Sequence, residues 1–193
     1  DIKPFDDDET YEPKHYWLRD LIIEESDSIT KQGCHGALGL SMELRNRSSI
    51  HLVVEHLAHH FEHSSMFGKA FSYLFEAAKK LKRRSLIVTA MKFLDRALSI
   101  EPMARRHLTL AEAEYRLATL LLERSTVSNI LGNREMAREQ AVAADSHAID
   151  LQDHQLLTMI ATERARQSRE SYDLRETEAQ LDRALHFAQL SGN

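Results

Sequence analysis

The sequence predicts an all-helical protein, and three observations favour that class. Glycine and proline number only 6 and 3 among 193 residues, whereas a sheet protein needs more of both at its turns. Alanine, leucine, glutamate, arginine and lysine, which favour helices, are abundant. Apolar residues recur three and four positions apart in successive segments, which is the spacing of one helix face. A chain of this length forms one domain or one short repeat array.

Composition also bears on partners and location. Lysine and arginine total 25 against 30 aspartates and glutamates, and the net charge of −5 argues against a dedicated nucleic-acid-binding protein. Cys34 is the single cysteine, so neither an internal disulfide nor a cysteine-based zinc site can form. We find no secretory signal and no apolar run of membrane-spanning length, so we expect a cytoplasmic protein without membrane insertion.

We expect residues 1–13 to form an acidic, irregular arm. Four acidic residues follow one another at positions 6–9, between Pro4 and Pro13. Such a run repels itself and buries little apolar surface. The alternative is an acidic docking peptide with four aromatic anchors, Phe5, Tyr11, Tyr16 and Trp17.

Residues 14–49 are predicted to be an N-terminal helical segment. The spacing of apolar residues predicts a helix over His15–Glu25. Two glycines within Lys31–Gly36 predict a turn, and a second apolar helix face follows over Ala37–Leu44. The polar stretch Arg45–Ser49 predicts a break, with a serine to cap the next helix.

Residues 50–193 are predicted to form helical-hairpin repeats. The first hairpin has apolar stripes over Leu52–Phe61 and Ala70–Leu81, joined by a short polar turn. Two amphipathic helices with so short a connection must pack antiparallel. Small residues would let the two backbones approach closely: Ala58, Ala70 and Ala77.

A small–apolar–small pattern, with steps of four and then three residues, recurs along this region. Its instances are Ala70, Leu74 and Ala77; Ala90, Leu94 and Ala97; Ala137, Ala141 and Ala144; and Thr177, Leu181 and Ala184. The recurrence favours repeated hairpins, and the open alternative is a nonrepetitive helical bundle. Later leading helices are predicted over Leu108–Arg124 and His154–Gln167, with Val127–Asn133 as an extended connection and Ser171–Asp173 as a turn.

The first hairpin resembles a tetratricopeptide repeat. Seven residues stand at that family's characteristic aromatic, leucine and small positions: Val54, Leu57, Ala58, Phe61, Ala70, Leu74 and Ala77. Pro102 follows Ala97 by five residues, as the family's closing proline does. The resemblance implies a tetratricopeptide-like superhelix of α-α hairpins, a short right-handed solenoid whose leading helices line a concave binding face.

A second likeness covers about residues 14–100. The segments Cys34–Ala37, Leu57–Glu62 and Ala70–Ala78 resemble the helical stretch that follows the nucleotide-binding and winged-helix regions of STAND-type signal-transduction ATPases. Similar stretches occur in soluble adenylyl cyclase-like proteins. The resemblance implies a scaffold region of a larger intracellular signalling protein, with the other domains of that chain among its partners. The sequence itself has no phosphate-binding Gly-rich loop that ends in Lys-Ser or Lys-Thr.

The tetratricopeptide likeness also implies which residues face a partner. The predicted concave-face residues are Leu52, Glu55, His59, Glu62, His63, Glu112, Tyr115, Thr119, Leu122 and Glu123. They combine carboxylates with imidazoles, so we expect a protein or peptide partner that carries basic residues.

Histidines are concentrated in the first predicted hairpin, which opens a metal-binding alternative. His56 and His60 lie four residues apart, as do His59 and His63, and such pairs can chelate one divalent metal. The order Glu55-His56-Leu57-Ala58-His59 does not match the His-Glu-x-x-His pattern of zinc proteases. We therefore interpret these histidines as structural or surface residues and expect no cofactor.

No set of residues predicts catalysis. Cys34 lacks an oriented base and is expected to be a buried, small apolar residue. The basic run over Lys79–Arg84 is expected to be a solvated helix end. The sequence thus predicts a non-catalytic interaction module. Its alternatives are a metal-binding enzyme or sensor that uses the His56–His63 helix, and a purely structural segment of a large assembly.

Overall fold

The computed structural model describes residues 2–5, 10–13 and 25–192. The first two segments are strands, β1 (Ile2–Phe5) and β2 (Thr10–Pro13), which pair antiparallel with Ile2 opposite Pro13. The arm that was expected to be irregular therefore contains two paired strands. Its acidic run at residues 6–9 and most of the predicted helix over His15–Glu25 lie outside the described residues.

Eight α-helices make up the rest of the described chain, which confirms the all-α class. They are α1 (Ser28–Arg45), α2 (Ile50–His63), α3 (Phe67–Arg83), α4 (Ile87–Ala104), α5 (Leu110–Ile130), α6 (Arg134–Leu151), α7 (His154–Glu170) and α8 (Leu174–Leu190). A single 3-10 turn, Arg105–His107, lies between α4 and α5.

Helix α1 is continuous, so the turn predicted within Lys31–Gly36 is wrong. The Asp27 side chain caps the helix by accepting a hydrogen bond from the Thr30 backbone N–H at 2.6 Å. Helix-interior glycines cost about 1 kcal/mol each relative to alanine, but here one of them has a packing role. A Cβ atom on Gly39 would lie 3.0 Å from the Phe61 ring, so glycine lets α1 approach α2 closely.

Helix α5 extends beyond its predicted end, and the extended connection predicted over Val127–Asn133 is wrong. Polar side chains in its last turns find partners across the hairpin: the Ser125 hydroxyl donates to the Ala137 carbonyl at 2.7 Å. The stretch is buried against α6 and therefore keeps its helical hydrogen bonds. The chain turns at Gly132, whose φ of +84° is readily accessible only to glycine.

The contacts between the eight helices follow an alternating pattern. Each helix packs against the one that follows it. Polar contacts also join helices that are two apart: Lys69 with Glu43, Lys82 with Glu123, Gln167 with Ser125, Arg96 with Glu62, and Arg183 with Asp145. The first three contacts link α1, α3, α5 and α7, and the other two link α2 with α4 and α6 with α8. The odd-numbered helices are thus joined in one row and the even-numbered helices in two pairs, and we refer to the two sets as the odd-numbered and the even-numbered layer.

The recurring small residues lie where the helices meet. In the first three instances of the small–apolar–small pattern every member is almost fully buried, from Ala70 to Ala144. In the fourth instance Ala184 is buried, but Leu181 remains 52% exposed. The difference arises because no helix follows α8 among the described residues to cover its outer side.

Asp145 joins three helices of the second half. Its buried carboxylate accepts hydrogen bonds from Arg183 at 2.6 and 2.8 Å and from Arg164 at 3.2 Å.

We expect Asp145→Ala to lower the free energy of unfolding by about 2 kcal/mol, because two guanidiniums lose their carboxylate. Urea denaturation measures the change. The control is Asp150→Ala, at an exposed position of the same helix; equal unfolding midpoints for the two variants would contradict the prediction.

Candidate functional site

The predicted concave-face residues divide between the two layers. One half of the set lies on α2, in the even-numbered layer, and the other half lies on α5, in the odd-numbered layer. The two halves therefore do not form one face. This division arises because α1 precedes α2. Helix α2 packs against α1 as the second helix of a pair, and it also packs against α3, which follows it.

The acidic residues of the predicted set already have partners within the chain. Three glutamates form ion pairs: Glu55 with Lys80, Glu62 with Arg96, and Glu123 with Lys82. Two cations of the basic run over Lys79–Arg84 are thereby paired and half-buried rather than solvated. The charge that these glutamates offer to a basic partner is largely neutralised.

The α5 residues of the predicted set differ in accessibility. Leu122 is only 5% exposed and packs in the core with Leu156 and Ile160, so it is not available to a partner. Glu112 caps its own helix, since its carboxylate accepts from the Thr109 N–H at 2.9 Å. That hydrogen bond holds the pKa of Glu112 below its ordinary value. Tyr115, in contrast, is 48% exposed.

Tyr115 lies between two adjoining cavities that both border α5. One cavity, of about 490 Å³, lies between the beginning of α5 and the end of α6. The other, of about 180 Å³, lies between α3 and α5. Both are lined by Tyr115 and Arg116. We refer to them together as the Arg116 groove, with Phe71, Phe75, Leu108, Tyr115, Arg116 and Leu151 among its lining residues.

Arg116 is the unusual residue of this groove. Its guanidinium lies 5.7 Å from the centre of the Phe71 ring. Its Nη1 atom is buried and has no hydrogen-bond partner among the described residues. A buried donor without an acceptor is unfavourable, and a ligand carboxylate would remove that penalty. The sequence prediction included Tyr115 but missed Arg116, because an arginine on an amphipathic helix usually pairs with a neighbouring glutamate.

A second constellation lies where α1 crosses α2. The histidine cluster consists of His35 from α1 and His59, His60 and His63 from α2. The ring centre of His35 lies 5.1–5.5 Å from those of the other three, and the centres of His59 and His63 are 4.3 Å apart. The Nδ1 atoms of His35 and His60 are 3.0 Å apart, within hydrogen-bond distance.

The sequence predicted the α2 part of this cluster but not His35. Because α1 is continuous, His35 and Gly39 lie four residues apart on one helix face, and Gly39 contacts α2. The turn that was predicted across residues 31–36 concealed this relation. His56, the remaining predicted member, is exposed and has no ring contact with the cluster.

Burial affects the ionisation of three members of the histidine cluster. It lowers the pKa of His35, His59 and His60, and the neighbouring imidazoles lower it further. The neutral rings are therefore favoured. In the part of the chain that the structure describes, no group of three or more histidine, cysteine, aspartate and glutamate side chains is arranged so that it could hold a metal ion.

Cys34 is exposed, so the prediction of a buried residue is wrong. Helix α1 contacts the rest of the protein along one side only, and Gly39 is its single buried residue. Cys34 precedes His35 and points away from the contact side, because adjacent helix residues diverge in direction.

None of the described helices combines the length and the apolar character needed to cross a membrane. Comparisons with protein-family models, with curated proteins and with solved structures gave no match to this chain. The geometry of the Arg116 groove and of the histidine cluster therefore carries the functional argument.

Proposed function

We propose that this chain is a non-catalytic interaction module, a tetratricopeptide-like array of helical hairpins that binds a polypeptide in the Arg116 groove. The observation that carries the proposal is the pair of cavities that share an exposed tyrosine and an arginine with a buried, unpartnered N–H group. Tyrosine and arginine are enriched on surfaces that anchor a partner.

The packing of the helices supports the hairpin array. Antiparallel neighbours pair as α3 with α4, α5 with α6 and α7 with α8, and small residues lie at their contacts. Odd-numbered helices would then be the leading helices of a short solenoid, and their layer its concave side. The Arg116 groove crosses α3 and α5 on that layer, where hairpin-repeat proteins bind extended ligands.

The groove favours a partner segment with a carboxylate beside an apolar side chain. Arg116 would donate to the carboxylate, while Phe75 and Tyr115 would cover the apolar group. The basic partner expected from the sequence has less support, because the glutamates of that prediction are ion-paired within the chain. We therefore propose as the ligand an apolar peptide that carries one carboxylate for Arg116, since the other charged residues of the lining are acidic: Glu76, Glu112 and Asp153.

The wider context rests on the resemblance of residues 14–100 to STAND-type ATPases and soluble adenylyl cyclase-like proteins. We propose on that basis that the module serves as a scaffold in a larger cytoplasmic signalling protein. If a segment of that parent chain occupies the groove permanently, the module is instead a structural part of its own assembly. Binding of a free peptide to the groove in the full-length parent chain distinguishes the two cases, because a permanently occupied groove would not bind it.

A phage-displayed library of random peptides, selected on the purified chain, tests the groove. We expect enrichment of peptides that combine aspartate or glutamate with apolar residues. Arg116→Gln should weaken their binding about tenfold or more, since a hydrogen bond to a charged group contributes about 1.5–3 kcal/mol. Tyr115→Ala should weaken binding as well. Calorimetric titration with an enriched peptide measures both losses.

Arg175→Gln is the matched control, because Arg175 is an exposed arginine on α8, away from the groove. It should bind the enriched peptides as the wild type does. Enriched peptides that bind equally well to Arg116→Gln and Tyr115→Ala would contradict the proposed site. Selection of basic peptides that depend on Glu55 or Glu62 would favour the binding face predicted from the sequence.

A further inference from the structure

We infer that the histidine cluster is an acid-sensitive contact, which holds α1 on α2 at neutral pH and releases it when the imidazoles become protonated. This inference is independent of the Arg116 groove, since it concerns the attachment of one helix to the rest of the chain.

Besides Met42, which packs against the core, helix α1 is held at three points along one line. His35 joins the histidine cluster, Gly39 lies against Phe61, and Glu43 pairs with Lys69 and accepts a hydrogen bond from the Tyr73 hydroxyl at 2.6 Å. These residues follow one another at intervals of four, so they occupy one face. Most of the remaining surface of α1 is exposed. An element with so few buried contacts opens at lower free energy than the core.

The hydrogen bond between His35 and His60 depends on protonation. It joins two Nδ1 atoms, so one ring must donate and the other must accept. A protonated imidazole has no acceptor atom, and the bond is lost when both rings are charged. His63 differs, because its Nδ1 lies 2.8 Å from the His59 carbonyl and can donate to it in either state.

The groups that face the cluster offer little compensation for added positive charge. From α2 they are His56 and Glu62, and from α4 the facing group is Arg96. Glu62 is the single facing carboxylate among the described residues, and it is already paired with Arg96. From α3, Lys69 is paired with Glu43. A protonated His35 would therefore be repelled, across the contact between α1 and α2, by protonated rings whose centres lie 5.1–5.5 Å away.

The direction of the pH dependence follows from the lowered pKa values. His35, His59 and His60 have folded-state pKa values below the ordinary value of 6.5. At pH values between those lower pKa values and 6.5, the state in which α1 is detached from α2 binds more protons than the state in which α1 is packed on α2. The contact between α1 and α2 is therefore fully stable above pH 6.5. It loses stability as the pH falls from 6.5 through the folded-state pKa values of these histidines.

The exposed Cys34 makes the release measurable, since it is the single cysteine and lies on α1. A nitroxide spin label on Cys34 should be restricted at about pH 7.5 and mainly mobile at about pH 5.5, the range over which histidines titrate. Circular dichroism should show that the other helices persist. Loss of all helicity with the same midpoint would overturn the inference, because global unfolding would then explain the mobility.

Substitutions within the histidine cluster provide the second measurement. The pH transition of the label should be abolished or strongly reduced in His35→Gln and in His60→Gln, because neutral glutamine cannot acquire a proton there. His51→Gln, at an exposed position of the same helix α2, should keep the wild-type transition. A transition of wild-type size in both cluster variants would overturn the inference. So would a transition that disappears in EDTA, since loss of a bound metal would then be its cause.

Discussion

Ala58→Glu is expected to lower the free energy of unfolding by about 3–5 kcal/mol, the effect of burying a charge without a partner. Ala58 is 0% exposed and belongs to the core that joins α2 to α5. A glutamate side chain would have to enter this fully buried contact between helices. Thermal or urea unfolding followed by circular dichroism measures the loss.

The control for Ala58→Glu is Leu52→Glu in the same helix. Leu52 is 63% exposed, so a glutamate there stays hydrated. We expect that variant to remain within about 0.5 kcal/mol of the wild type. Unchanged stability of Ala58→Glu would show that α2 does not pack against its neighbours through this face.

Phe61→Ala is expected to cost about 3–5 kcal/mol, as do other truncations of fully buried aromatic residues. The Phe61 ring is 0% exposed and stacks on Tyr73 with 5.4 Å between ring centres. It also fills the space beneath Gly39 of α1. Urea denaturation measures the change in the free energy of unfolding. A loss no larger than that caused by truncating an exposed side chain would contradict this packing.

The contact of Phe61 with Gly39 permits a double-mutant test. Gly39→Ala should destabilise the wild type, because the added Cβ would lie 3.0 Å from the Phe61 ring. In the Phe61→Ala background the ring is gone, and the same substitution should cost less or stabilise the helix. Two residues in contact give a coupling energy of about 0.5–3 kcal/mol. Strict additivity of the two changes would show that α1 does not lie on Phe61.

The attachment of α1 links these stability predictions to the histidine cluster. Phe61 and His60 are adjacent on α2, and they contact Gly39 and His35 on neighbouring turns of α1. Gly39→Ala should therefore weaken the same attachment that acid weakens. The Arg116 groove involves α3, α5 and the end of α6, so its peptide binding is expected to survive the detachment of α1.

Buried polar contacts set the register of the later hairpins. Ser125 donates to the Ala137 carbonyl and accepts from the Gln167 side chain at 2.7 Å, which joins α5, α6 and α7. Gln167 also donates to Glu163 at 3.0 Å. A shift of one helix along another would leave these buried groups unpaired, which costs more than a misaligned apolar contact.

The sequence alone was sufficient for the helical class and for the buried side of most helices. Residues such as Ala70, Leu94 and Ala141 were predicted from spacing and are buried in the structure. Spacing succeeds here because the period of a helix is a local property, and apolar residues at that period mark the side that avoids water. The turn at Gly132 has the same local character, since its positive φ favours glycine.

Only the tertiary structure decided which helix covers which side. Two glycines within Lys31–Gly36 indicated a turn, but α1 continues through them and packs against Phe61 at Gly39. Helix α5 was predicted to end early because the partners of its buried polar residues lie on α6 and α7, which the local sequence does not reveal. The Arg116 groove and the histidine cluster depend on the same kind of information. Arg116 meets Phe71, and His35 meets His60, across helices whose pairing is a long-range packing choice that no local period encodes.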